Sequence, residues 1–380
     1  MQYVPFGKLG FEISRLGFGA MRIPMIEENG ERHPDVARGV ELIRHAIDQG
    51  VNYVDTAYVY SEKQNEEMVG EALRGGYREK VKIATKLACP LVESREDMNK
   101  MLDEQLKKLG VRYIDFYLLH ALNGDRWEKM KALGATDFLD EAVKDGRIKY
   151  PSFSFHDKYE VFEDILTSYD WQMTQIQFNY LDINDQAGLR GLRLAGRRNV
   201  PVVVMEPLRG GALASPPPEV KKIIDRYPEK RSAPEWAFRY VGHFGEVAVQ
   251  LSGMNTREMV DDNLRIFDDI RVGCMTEKDL RMVGSLRAAY KKRMPIGCTG
   301  CAYCVPCPKG VSIPKLFASY NVNKMFDRPE AFARNYEHYV KNEADASRCV
   351  SCGLCEKQCP QSLPIRQWLK TVHKEATENK

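Results

Sequence analysis

Residues 53–60 read Tyr53-Val54-Asp55-Thr56-Ala57-Tyr58-Val59-Tyr60, and the reading of that stretch decides the fold. Its first half is rich in β-branched and aromatic residues, which predicts a strand over 53–57 running into Asp55, with Tyr60 in the loop beyond. Two further strand-like runs downstream, Val81 to Lys86 and Ile114 to His120, also end in a titratable residue. As successive parallel strands, the three would bring Asp55, Tyr60, Lys86 and His120 together at one end.

Outward from there the alternation stays regular. Strands are expected at 16–19, 53–57, 81–86, 114–120, 150–155, 174–179, 200–206 and 247–252, with a helical pattern after each, as over Asp35–Gln49 where Val36, Val40, Ile43 and Ile47 share a face. Eight strand–helix units over about 250 residues predict an α/β fold, a (β/α)8 TIM barrel. A doubly wound sheet would normally show Gly-x-Gly-x-x-Gly after its first strand, and none is present. Residues 3–15, with a Gly-Lys-Leu-Gly turn, read as a hairpin.

The four polar residues form a coherent set. Reducing a carbonyl by hydride requires a proton donor for the nascent alkoxide, and a phenol with a pKa near ~10 is a sluggish one. A neighbouring lysine cation favours phenolate, an aspartate keeps that lysine charged, and a histidine can hydrogen-bond and orient the substrate oxygen. The constellation resembles the Asp, Tyr, Lys, His tetrad of the aldo-keto reductases. Asp55 and Tyr60 stand at that family's spacing, and Asp-Thr-Ala-Tyr-Val-Tyr-Ser-Glu, Ala-Thr-Lys and Leu-Leu-His match its surroundings.

The resemblance implies a hairpin plugging the barrel floor and a nicotinamide cofactor. On the family's pattern Ser154 matches a serine that, with Gln175, holds the carboxamide, whereas Phe155 replaces the usual asparagine. Met205 stands where many members stack an aromatic ring on the nicotinamide; Pro207 and Leu208 match the Ser-Pro-Leu-x-x-Gly segment. The loop Ser252-Gly253-Met254-Asn255-Thr256-Arg257 feeds a helix N-terminus, a natural seat for phosphates, and Asn263 matches an asparagine near the adenine. The Lys and Arg that clamp a 2'-phosphate fall on Gly253 and Met259, which favours NADH over NADPH, while Arg257 as the remaining nearby cation leaves dual use open. Met21, Tyr58 and Trp127 fall on loops able to line a mostly apolar pocket, and Arg209 is a candidate to meet an anionic group, with packing the alternative for each.

Eight of the ten cysteines form two runs after residue 297. Cys349-x-x-Cys352-x-x-Cys355-x-x-x-Cys359-Pro360 has the bacterial ferredoxin spacing, and Cys298-x-x-Cys301-x-x-Cys304-x-x-Cys307-Pro308 is one residue shorter in its last gap. The segments Cys307–Phe317 and Cys359–Leu369 repeat one another. The 41 residues from Pro308 to Arg348 carry helical spacing through Leu316, Phe317, Phe326, Phe332, Tyr336 and Tyr339. A small, mainly helical dicluster ferredoxin-like domain is expected, with two [4Fe-4S] clusters whose fourth ligands are exchanged: Cys298, Cys301, Cys304 and Cys359 on one, Cys349, Cys352, Cys355 and Cys307 on the other. Two zinc sites are the rival. Cys89 and Cys274 read as idle thiols.

The whole 380-residue chain thus resembles the aldo-keto reductases that carry a C-terminal ferredoxin-like extension, divided as barrel 1–270, connection 271–297 and iron–sulfur domain 298–380. Net charge is +3 with both signs mixed, which argues against nucleic acid and membrane lipid as partners. The start of the chain lacks a signal-peptide pattern and no apolar run is long enough to span a bilayer, so a cytoplasmic protein is expected. The leading function is reversible hydride transfer between NAD(P)H and a small-molecule aldehyde or ketone, with a redox protein as candidate partner for the iron–sulfur domain. The alternative is an electron-transfer protein or complex subunit, flavin-linked or not, that uses the barrel as scaffold.

Overall fold

A computed structural model describes residues 1–28 and 30–378. They divide into two compact units, Met1–Ala214 with Pro234–Leu280, and Ser215–Ala233 with Arg281–Lys380. Among the described residues no helix is long and apolar enough to cross a membrane.

The first unit holds a closed barrel of eight parallel strands: β1 (Leu16–Gly19), β2 (Tyr53–Asp55), β3 (Lys82–Leu87), β4 (Ile114–Leu122), β5 (Ile148–Phe155), β6 (Met173–Gln177), β7 (Val202–Met205) and β8 (Val247–Ser252), with β8 pairing β1 to close the ring. Each expected strand is present, shifted by at most a few residues at its ends. β2 is shorter than expected, stopping at Asp55 as the chain turns away.

Side chains alternate in and out along each strand. The inward set of Tyr53, Ala84, Phe116, Leu118, Met173, Val203, Val249 and Leu251 packs as one core. The close approach of β1, β2 and β8 leaves no room at Gly17, where a Cβ would come within 2.7 Å of Val249 and 2.9 Å of Leu251.

The N-terminal hairpin pairs Tyr3–Pro5 with Glu12–Ser14 and buries Phe6 and Ile13 in this core. The Phe6 ring lies 5.0 Å from that of Phe116. Burying a side chain of that size stabilises by roughly 1.5–3 kcal/mol. A second antiparallel hairpin, Met25–Glu28 with Glu31–Pro34, was not expected from the sequence.

The helix expected over Asp35–Gln49 spans Val36–Asp48, with the Asp35 carboxylate accepting from the Arg38 N–H to cap it. Arg95–Leu109 begins with a full capping box between Ser94 and Asp97.

In the second unit, Ile313–Phe326, Pro329–Lys341, Leu354–Lys357 and Ile365–Glu378 make the cysteine segment helical, as expected. Leu316, Phe317, Phe332 and Tyr336 are buried in its core with Ile365, Leu369 and Val372, and Phe326 is also buried; Tyr339 is only partly buried.

Candidate active site

The barrel places Asp55, Lys86 and His120 at the C-terminal end of adjacent parallel strands. Asp55 pairs with Ala84 across β2–β3, and Lys86 stands two residues beyond Ala84 on β3, so both charged side chains fall on the inward face shared by Tyr53 and Ala84. Lys86 Nζ donates to Asp55 Oδ1 at 2.7 Å, to the Thr56 carbonyl at 2.6 Å and to the Tyr60 hydroxyl at 3.3 Å. The His120 ring stands edge-on to Tyr60, 6.1 Å between centroids.

Tyr60 is held by an unusual turn. Ser61, Glu62 and Lys63, none of them glycine, all take left-handed backbone angles, with φ of 46°, 55° and 72°, a conformation that persists only where surrounding contacts impose it. The fully buried Asn65 supplies three: its amide donates to the Ala20 carbonyl at 3.0 Å and to Ser61 Oγ at 3.2 Å, and it accepts from Thr56 Oγ1 at 2.7 Å. Asn65 was missed in the sequence because its role is to join three separate segments.

The electrostatics follow from burial. Burial pulls the Lys86 ammonium down, but Asp55 and then Tyr60 more than offset it, so Lys86 stays a cation. Asp55 is itself pushed up by burial against the pull of Lys86, and its Oδ2 has no hydrogen-bond partner. Burial raises the Tyr60 phenol; Lys86 works in the opposite direction, as expected, without overcoming it. His120 is lowered to about 3 by burial and then by Lys86, His156 and Arg126, so its imidazole is neutral near pH 7 and offers one N–H.

These residues floor a cleft of about 460 Å³ that Ser154, Gln175, Met205, Pro207, Leu208 and Gly253 also line. Gln175 is buried with its Oε1 unpartnered, and Ser154 Oγ accepts from the Ala121 N–H at 2.7 Å, leaving its own hydroxyl proton to donate. A cofactor carboxamide needs such an acceptor and donor, so these side chains fit it. The Arg22 stem packs against Gly253, where a Cβ would lie 2.8 Å from that of Arg22. Arg22, His156 and Glu206 line the cleft as well and were not singled out in the sequence, although each closely follows the end of a barrel strand.

Other expected positions lie elsewhere. Met254 is buried, the Asn263 amide donates to Ser252 Oγ at 2.9 Å, and neither lines the cleft. Arg257 is half-exposed and faces Glu41 at 3.7 Å and Asp261 at 3.4 Å. Met21 lines the cleft, but Tyr58 is buried with its hydroxyl on Glu104, and Trp127 is buried against Trp171. Arg209 is ion-paired with Asp182 at 2.8 Å.

The cysteines gather around two cavities. Cys298, Cys301, Cys304 and Cys359 line one; Cys307, Cys349, Cys352 and Cys355 line the other, which Cys304 also touches. None of them is in a disulfide. Among the described residues no three His, Cys, Asp or Glu side chains are grouped to hold a metal ion; four thiols lining a cavity are the donor number that a four-iron group takes.

Residues 15–272 match the model of the aldo/keto reductase family. The chain belongs to that family. Residues 297–363 match the model of a 4Fe-4S dicluster domain. Over 162 residues the chain is 32% identical to "Probable aldo-keto reductase 1" of Glycine max, covering 40% of this chain and 45% of that protein. It spans about half the length of the curated relatives it matches. Among solved structures, aldo-keto reductase AKR11C1 from Bacillus halodurans in its holo form aligns with a TM-score of 0.64 at 23% identity, over 75% of this chain and 96% of that one. An aldo/keto reductase from Klebsiella pneumoniae, in complex with NADP and acetate, aligns with a TM-score of 0.60 at 20% identity, over 75% and 95%. At these identities the structures speak for the barrel fold of this aldo/keto reductase.

Proposed function

We propose that this aldo/keto reductase interconverts an aldehyde or ketone and the corresponding alcohol by hydride exchange with a nicotinamide cofactor. One observation carries the proposal: a buried lysine ammonium that touches both Asp55 and the Tyr60 hydroxyl in a cleft shared with His120. A nicotinamide bound there supplies or accepts the hydride at its C4. In reduction Tyr60 gives its hydroxyl proton to the substrate oxygen, and Lys86 stabilises the phenolate left behind. Asp55 keeps Lys86 charged and in place. Neutral His120 donates its N–H to the substrate oxygen and orients it. In oxidation Tyr60 takes the proton back.

Gln175 and Ser154 are the candidates to hold the carboxamide, with Met205, Pro207 and Leu208 covering the cofactor. Gly253, Met254, Arg257 and Asn263 are assigned to its phosphate and adenosine end. The Klebsiella neighbour's NADP supports a nicotinamide site, yet Gly253 and Met259 offer no cation to a 2'-phosphate and Arg257 already faces two carboxylates, so NADH is the favoured cofactor. An anaerobic screen of carbonyl compounds with both cofactors tests the function; no consumption of either with any carbonyl would overturn it.

We assign residues 298–380 to two [4Fe-4S] clusters with exchanged fourth ligands, residues 1–270 to the hydride chemistry and 271–297 to the connection. The two groups of thiols support that ligand set, and the match to a 4Fe-4S dicluster domain favours it over single zinc ions. Such clusters pass single electrons whereas nicotinamide passes a hydride pair, so their role is exchange with an external redox protein or the folding of their own segment. Iron and acid-labile sulfide at about eight each per chain is the expected content; stoichiometric zinc without sulfide would replace the assignment.

A further inference from the structure

Resting on that two-cluster assignment, we propose that the centre in the cavity of Cys307, Cys349, Cys352 and Cys355 has the higher reduction potential, raised by Lys309 and Arg366, so that a single electron entering the segment comes to rest there. The internal repeat allows the two cavities to be compared residue by residue. Aligning Cys307–Phe317 with Cys359–Leu369 sets Lys309 opposite Gln361 and Pro314 opposite Arg366. The structure sorts these pairs by cavity. Lys309 and Arg366 line the first; Gln361 and Pro314 line the second. Neither lining contains Asp or Glu, so the first lining carries two cationic side chains that the second lacks.

Arg366 is fastened in place. Its Nη1 donates to the Ser351 carbonyl at 3.4 Å, between Cys349 and Cys352 in the chain. Gly353, at φ +76°, brings the backbone so close that a Cβ there would sit 3.6 Å from the guanidinium carbon. Glu356 pairs with it at 2.7 Å and takes up part of its charge; Arg366 lines the cavity and Glu356 does not.

Reduction adds one electron to a four-iron centre, taking it from its 2+ to its 1+ state with no bond broken and no proton moved. The electron comes from a one-electron carrier, or from dithionite through a mediator in the experiment. Because the centre gains negative charge, nearby cations stabilise the reduced state. Lys309 and Arg366 are both solvent-exposed, so the effect is modest and falls as salt rises. About tenfold in the oxidised-to-reduced ratio is expected, ~59 mV for a one-electron couple.

The test is potentiometry of the full chain, reconstituted anaerobically and followed by electron paramagnetic resonance, with iron and sulfide assayed in every variant. The wild type should show two potentials that converge in high salt. Arg366→Gln should lower the upper potential, Lys309→Gln/Arg366→Gln should bring the two together, and Gln361→Lys should raise the lower one. Unchanged potentials in the double variant at full iron and sulfide content would overturn this proposal alone; a wild type without sulfide would overturn the cluster assignment and the proposal with it.

Discussion

The barrel cleft and the cysteine segment bring reactive side chains together in opposite ways. In the cleft the polar groups are satisfied mostly by one another: Lys86 and Asp55 expose only 1% and 3% of their side chains, and Lys86 makes all three of its hydrogen bonds within the protein. In the cysteine segment Cys301 and Cys352 are exposed and the other six half-buried around two cavities, none of them in a disulfide. A site whose own bonds fix its geometry is preorganised before any ligand arrives. A site whose groups only ring a cavity depends for its order on what fills it.

The sharpest way to break the contrast is to remove one partner of the buried pair. Lys86→Met leaves the Asp55 carboxylate buried without its cation, so we expect turnover to be abolished and stability to fall by about 3–5 kcal/mol. Urea unfolding compared with Lys86→Arg checks it, and an unchanged midpoint would show that Asp55 protonates at no cost.

Cys352→Ser tests the other side of the contrast: protease sensitivity of the cysteine segment should rise, while carbonyl reduction by the barrel continues.

His120 gives a pH signature confined to the cleft. Its folded pKa is about 3, below its ordinary 6.5. Between those values the unfolded chain binds the extra proton, so this contribution to stability is fully present above about pH 6.5 and is lost as pH falls towards 3. His120→Asn should flatten that part of the pH–stability curve.

The smallest effect belongs to Arg257→Ala. If Glu41 and Asp261 engage Arg257 as the structure shows, the ratio of NADPH to NADH affinity should change less than about twofold. A collapse of NADPH binding alone would give Arg257 the 2'-phosphate role.

The barrel and the tetrad were legible because both rest on local signals, short strand-like runs alternating with helical patterns and a titratable residue at the end of three of those strands. The thiol rings were legible for the same kind of reason, since three cysteines at two-residue gaps are a local pattern. What escaped was tertiary. Asn65 matters through bonds to Ala20, Thr56 and Ser61 in three segments. Arg22 reaches the cleft only because β1 and β8 are neighbours in a closed ring. Tyr58 and Trp127 were nominated for the cleft on loop position alone; the structure spends both on packing, Trp127 inside the helix Gly124–Ala132. Arg209 had a carboxylate waiting in Asp182 that spacing does not reveal.

The central claim is that Tyr60 moves the proton. The direct measurement is single-turnover reduction of an accepted carbonyl by bound nicotinamide in Tyr60→Phe, with cofactor affinity measured alongside by fluorescence. The account predicts a rate lower by about 10²–10⁴-fold with affinity nearly unchanged, because only a hydroxyl is lost; a rate near that of the wild type across the pH range would contradict it.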